Sequence, residues 1–250
     1  MSAMLEVNDL MVFYENALAL NNLSLKVEEG EFVAVLGSNS AGKTTLMNAI
    51  AGLVEDMRVK EQRKGGVRIT VLGEMLFEGE DILRARPKQR VKKGIILTRE
   101  RHPIFKESDI VENLKIAGCL QKARAVEASI DRVFSILPHL KNLKGRKAGF
   151  CSGGEQQMLI IGMALVAQPR LLLLDEPLLG LSPAIQSQLV STIREINRGG
   201  ITILITEQFA RPILPSIQRG YIVENGMLTL SGTGAELMDN PEVKSAYFGI

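Results

Sequence analysis

The sequence predicts an α/β protein with a partly parallel sheet, and three observations carry that prediction. A glycine-rich stretch, residues 37–44, lies between an apolar run and a helical pattern. Short aliphatic runs alternate with helical periodicities along the chain. Four consecutive leucines, 171–174, lead straight into two carboxylates, as a buried parallel strand does when it ends at the ligand-binding rim of an open sheet.

The glycine-rich stretch comes first. Gly37, Ser38, Asn39, Ser40, Ala41, Gly42, Lys43 and Thr44 fit G-x-x-x-x-G-K-[ST]. The preceding FVAVL run, residues 32–36, reads as a buried strand, and Leu46, Ile50 and Leu53 mark one face of a helix stopping near Gly52. Strand, glycine loop and helix together present backbone N–H groups and a helix N-terminus to phosphate oxygens. Lys43 would reach the terminal phosphates of a nucleoside triphosphate, and the Thr44 hydroxyl would coordinate Mg²⁺.

Upstream, Leu23, Leu25 and Val27 alternate as in a half-buried strand. Tyr14 is either a base-stacking aromatic or strand packing. Downstream, residues 55–66 are charged, end in Gly-Gly and read as an exposed loop or hairpin tip. Val67, Ile69 and Val71 alternate as a further strand, and residues 94–98 form another that delivers Arg99 and Glu100 to a loop. A helical stretch then opens on the Asp109/Glu112 capping box and continues through Ile130, Val133, Phe134 and Leu137 to Pro138. It reads as an inserted helical subdomain, about 100–160, within a single domain spanning 1–250.

Ser152 and Glu155 make a second capping box around Gly153 and Gly154, which leaves a helix N-terminus bare. The run 171–174 then delivers Asp175 and Glu176: one carboxylate for Mg²⁺, one to orient and polarise water. Ser182-Pro183 opens a helix that Gly199 and Gly200 end. A strand at 201–205 brings Thr206, Glu207 and Gln208 to its tip. Residues 221–230 form a hairpin turning on Asn225-Gly226, and the Thr233/Glu236 box caps a last short helix.

Composition narrows the function. A formal net charge of +2 gives no electrostatic case for nucleic acid or anionic lipid. The longest apolar run, 158–167, is too short to span a bilayer. No secretory signal pattern opens the sequence. Cys119 and Cys151 form no metal pattern and suit a reducing compartment.

A phosphate loop, then S-G-G-E, then four leucines and D-E-P, in that order, resembles the ATP-binding subunits of ABC transporters over essentially the whole chain. The resemblance implies an ABC-type ATPase: a RecA-like core, an N-terminal antiparallel β subdomain and the inserted helices. It implies ATP and Mg²⁺ as cofactors, and a homo- or heterodimer sandwiching ATP between one subunit's phosphate loop and the other's signature motif. Carried over, Tyr14 matches the adenine-stacking aromatic, Gly37 to Thr45 match Walker A, and Ser152, Gly153, Gly154 and Glu155 the signature. Asp175 and Glu176 match the Walker B aspartate and catalytic glutamate, and 178–182 the D-loop. Glu100 stands at the Q-loop position as a metal ligand, and Gln208 stands at the switch-histidine position as a catalytic group. With Ser182 in the D-loop and S-A-Y-F-G at 245–249, the chain is similar to one of the two ATPase subunits of branched-chain amino-acid importers and their amide and urea relatives. Ser40, where glycine is usual, Cys151 and the 55–66 insertion depart from that pattern. The implied partners are integral membrane permease subunits and a solute-binding protein, with no nucleic acid, at the cytoplasmic side of the cell membrane. The alternative is a soluble or regulatory ABC ATPase uncoupled from transport.

Overall fold

The computed structural model describes residues 3–66, 68–99 and 104–248. The chain opens as an antiparallel hairpin, β1 (Ala3–Tyr14) and β2 (Ala17–Glu28), and enters β3 (Phe32–Leu36), whose five residues are all buried. After the glycine loop come α1 (Lys43–Ile50), α2 (Leu53–Gln62), β4 (Ile69–Phe77), the two-residue β5 (Glu80–Asp81), α3 (Pro87–Lys92) and β6 (Ile95–Thr98). Four helices follow: α4 (Ile110–Ala117), α5 (Ala123–Ile136), α6 (Pro138–Asn142) and α7 (Gly153–Val166). The chain then alternates through β7 (Leu171–Asp175), α8 (Pro183–Arg198) and β8 (Thr202–Glu207), turns back in β9 (Arg219–Glu224) and β10 (Met227–Gly232), and closes with α9 (Gly234–Asp239) and α10 (Pro241–Tyr247).

Two sheets organise these elements. The first is antiparallel, ordered β2-β1-β4-β5; the second is ordered β10-β9-β3-β8-β7-β6 and is parallel from β9 to β6, with β10 antiparallel at its edge. Because side chains alternate across a strand, the parallel strands feed two cores. Val33, Val35, Leu171, Leu173 and Leu204 pack with α1 and the antiparallel sheet. Phe32, Ala34, Leu36, Leu172, Leu174, Ile203 and Ile205 pack with α4, α5, α7 and α8. Helix α7 lies so deep that most of its circumference is buried, as its nearly unbroken apolar sequence demands.

The expected α/β class and N-terminal antiparallel sheet are both present. Residues 55–66 correct the sequence reading: they begin inside α2 rather than in a loop. The charges have the sign and spacing of a helix. Glu55 and Asp56 lie in the first turn, Arg58 pairs with Glu55 at i,i+3 and Lys60 pairs with Asp56 at i,i+4. Gly52, at φ 80°, ends α1 and lets the chain turn into α2. Pro138 both follows α5 and starts α6, and α9 is not the last helix, since α10 follows it. Val67 lies outside the described residues.

Where α1 and α2 meet, Arg90 of α3 is only 1% exposed. Its Nη1 donates to the carbonyls of Ala49 and Ile50 at 2.8 and 2.7 Å, Nη2 to Ile82 at 2.6 Å and Nε to Ala85 at 2.9 Å. A guanidinium supplies these donors from one rigid plane, which lysine does not. Burial pulls its pKa down to about 10, so it keeps its charge at neutral pH, helped by Glu55 and Asp81. Replacing Arg90 by Met is expected to lower unfolding stability by about 3 kcal/mol or more, because buried carbonyls lose charged donors together. A guanidinium denaturation curve with an unshifted midpoint would show that Arg90 is not a fastening point.

Candidate functional site

The tips of β3, β7 and β8 converge on the loop before α1. Gly37 cannot carry a side chain, since a Cβ there would stand 2.4 Å from the Val223 carbonyl of β9. Gly42, at φ 105°, would place a Cβ 2.8 Å from the Ala19 carbonyl of β2. Between them Ser40 adopts φ 66°, a left-handed backbone that explains why glycine is usual at this position. Asn39 and Ser40 are exposed, Ala41 is buried, and Gly42 caps α1 without a side-chain bond. The Gly37 and Ala41 N–H groups are used within the protein, donating to the Glu207 and Ser38 carbonyls at 3.3 and 3.2 Å, while α1 starts with no side-chain cap and no acidic residue in its first turn.

Lys43 is 4% exposed and met by oxygen on several sides. Its Nζ donates to the Gly37 and Ser38 carbonyls at 2.8 and 2.9 Å and pairs with Glu176 Oε1 at 2.9 Å. Asp175, 2% exposed, accepts from Thr206 Oγ1 at 2.7 Å and lies 3.4 Å from Thr44 Oγ1. Burial raises the Asp175 pKa, with the Thr206 and Thr44 hydroxyls opposing. Glu176 follows at φ 48°, a strained backbone for a non-glycine residue, and its N–H donates to the Thr206 hydroxyl and carbonyl at 3.2 and 3.1 Å. An open cleft of about 330 Å³ adjoins this centre, lined by Ser40, Gly42, Lys43, Thr44 and Thr45, and by Leu18, Ala19, Asn225 and Gly226 from the two hairpins. Tyr14 stands beside it: burial raises its phenol pKa, and a hydrogen bond with Thr45 opposes that shift.

The remaining candidates lie elsewhere. Ser152 and Glu155 form the expected reciprocal cap, with Ser152 N–H to Glu155 Oε2 at 2.7 Å and Glu155 N–H to Ser152 Oγ at 3.3 Å. The Ser152 N–H holds the Glu155 carboxyl below its usual range, while burial opposes. Glu155 also meets His139 at 3.1 Å and Arg146 at 3.9 Å. Gly153 is exposed, whereas a Cβ on Gly154 would meet Ile185 of α8 at 2.7 Å. Among the described residues, no hydrogen bond or ion pair joins the signature to the phosphate loop. Half-buried Gln208 lines a separate cavity of about 60 Å³ with Leu178, Leu179 and Gly180. Glu100 lies outside the described residues.

Two members of the centre went unassigned in the sequence. Thr206 and Glu207 end β8 alongside Asp175 of β7, so a polar pair at a parallel strand's tip was the available signal. Glu207 is 4% exposed, and burial pushes its carboxyl up to about 8. Among the described residues, no three His, Cys, Asp or Glu side chains form a metal cluster, and no helix is long and apolar enough to cross a membrane. Thr44 and Asp175 nevertheless offer two converging oxygens. That suits Mg²⁺, which takes one or two protein ligands beside substrate phosphates.

Comparison with known proteins agrees with this geometry. The ABC transporter family pattern matches residues 20–179. BraG, a high-affinity branched-chain amino acid transport ATP-binding protein of Pseudomonas aeruginosa, is 35% identical over 98% of this chain and 100% of its own length. The corresponding LivG protein of Salmonella typhimurium is 33% identical over 98% of each chain. LptB of Escherichia coli, from a lipopolysaccharide export system, is 28% identical over 99% of this chain and 98% of its own. A crystal structure of an ATP-binding cassette of an ABC transporter, in its ADP conformation, superposes with a TM-score of 0.85 over 100% of both chains at 25% identity. The chain belongs to the ABC transporter family, as an ATPase subunit.

Proposed function

We propose that this subunit hydrolyses ATP to drive an importer of branched-chain amino acids or related small polar solutes. Hydrolysis is carried by one observation, the 2.9 Å pair between Lys43 Nζ and Glu176 Oε1. It sets the lysine a phosphate loop directs at terminal phosphates one hydrogen bond from a carboxylate suited to polarising water. Import is supported by BraG, at 35% identity against 28% for the LptB export protein.

In this reading the backbone of Gly37, Ser38, Asn39, Ser40, Ala41 and Gly42 cradles the phosphates, with Thr45 at the cleft wall and Tyr14 against the base. Thr44 and Asp175, with Glu100, would hold Mg²⁺, which would neutralise charge on the phosphates when bound. Ser152, Gly153, Gly154 and Glu155 sit on a capped helix start that, among the described residues, no hydrogen bond or ion pair joins to the phosphate loop. They act on the nucleotide of a second ATPase subunit, either a copy of this chain or a different one. Permease subunits and a solute-binding protein complete the system at the cytoplasmic face of the membrane. Gln208 supplies a donor and an acceptor but does not titrate near neutrality. It holds phosphate or water without carrying a proton.

Three measurements test these roles. Lys43→Ala is expected to raise the Kd for ATP at least tenfold, since a hydrogen bond to a charged group contributes roughly 1.5–3 kcal/mol; an unchanged calorimetric affinity would remove residues 37–44 from the site. Glu176→Gln should keep binding but lower kcat by about 10²–10⁴, the range of general-base catalysis. In light scattering with ATP and Mg²⁺ that variant should double its mass, and wild-type turnover would end the role given to Glu176. Gln208→Ala should slow phosphate release by roughly tenfold, while Gln208→His preserves it. Equal rates for Gln208→Ala and the unmodified protein would leave Gln208 without a catalytic part.

A further inference from the structure

Two side chains with no role so far grip a single peptide unit beside the centre. Leu178, 2% exposed, donates its N–H to Glu207 Oε1 at 2.9 Å and accepts from Gln186 Nε2 at its carbonyl, 3.1 Å away. Glu207 ends β8, and Gln186 lies in the first turn of α8. Two residues before Leu178, the Glu176 N–H is held by Thr206, the immediate neighbour of Glu207. Consecutive residues of β8 therefore fasten both ends of the short turn 176–178.

A fastening of this kind answers two facts at once. Glu176 keeps a left-handed backbone at φ 48°, and a non-glycine residue stays there only where its surroundings over-determine it. Withdrawing a carboxyl from water is unfavourable unless it satisfies something, and an aliphatic side chain would fill the same space without that penalty. What Glu207 satisfies is the buried Leu178 N–H, which would otherwise be orphaned. We propose that Glu207 and Gln186 are positioning residues. By clamping the Leu178 peptide from both sides, they hold Glu176 in the strained conformation that points its carboxylate at Lys43. The proposal rests on the role given above to Glu176.

The test uses the full-length protein with Glu207→Leu, Glu207→Gln and Gln186→Leu. Glu207→Leu keeps the bulk but loses the acceptor, and is expected to lower kcat by roughly 10–100-fold through misplacement of Glu176, with KM for ATP within about twofold. Glu207→Gln retains an oxygen for the same N–H and should rescue most of that loss, which a role for the carboxylate charge would not allow. Gln186→Leu should show a smaller fall in kcat. Hydrogen exchange at the Leu178 amide should quicken in both Leu variants and stay slow in Glu207→Gln. If Glu207→Leu does not fold, Gln186→Leu and its exchange rate decide the matter. Wild-type kcat in the Leu variants, equal losses in Glu207→Gln and Glu207→Leu, or slow exchange alongside lost turnover would each overturn the clamp. If instead Glu176→Gln turns over at the wild-type rate, the role of Glu176 fails, and fast exchange in the Leu variants would still establish the clamp itself.

Discussion

A lysine ammonium that is 4% exposed has to be met by oxygen, and meeting that demand fixes the arrangement of this site. Its three partners come from two places: the Gly37 and Ser38 carbonyls within the loop, and Glu176 at the end of β7. β7 and β3 are not neighbours, because β8 runs between them. The loop can therefore be completed only when three parallel strands end in register and β8 offers short polar side chains across the gap. Thr206 does this, bonding Asp175 and the Glu176 backbone at once. The aliphatic strands behind these tips, buried on both faces, are what make the register unforgiving.

Much of this was legible in the sequence wherever one residue type is nearly obligatory. G-x-x-x-x-G-K-T, S-G-G-E and four leucines before two carboxylates each report a backbone requirement, and the structure puts those residues at a strand-to-helix turn, a helix cap and a strand tip. Residues 55–66 misled because a charge run has the same composition in a loop as in a surface helix; only the i,i+3 and i,i+4 signs distinguish them. Arg90 was illegible for a different reason. Apart from the Met75 sulfur, its partners are carbonyl groups from two segments, 49–50 and 82–85, and a carbonyl leaves no trace in residue identity. Glu207 was visible as a polar residue at a strand tip, but nothing in the sequence says that it points toward the Leu178 amide rather than into solvent.

Two of the left-handed non-glycine residues stand where the chemistry is assigned. Ser40 and Glu176, both non-glycine and both left-handed, flank Lys43 from the loop side and the strand side. Elsewhere the same backbone occurs at tight turns, such as Glu15 between β1 and β2 and Asn225 between β9 and β10, and inside strands, at Asp9 and Asn22. At the centre it turns an acid back toward the loop instead of outward, and the surrounding hydrogen bonds are what keep it there.

The turn at Asn225-Gly226 has a consequence for how the protein is made. The Gly226 N–H donates to the Ala41 carbonyl at 2.9 Å, its carbonyl accepts from Asn21, and β9 supplies the Val223 carbonyl that Gly37 must clear. The phosphate loop, residues 37–44, is thus walled by residues 223–226, which follow it by some 180 positions. A ribosome delivers these pieces in order, at about 5–20 residues per second. While residues 45–218 are being made, β3 presents an open edge and its loop lacks one wall, a condition that invites wrong pairing. The site is finished only once β9 and the turn after it have been made, so a polypeptide interrupted before residue 219 would carry the whole motif and still lack one wall of its cleft.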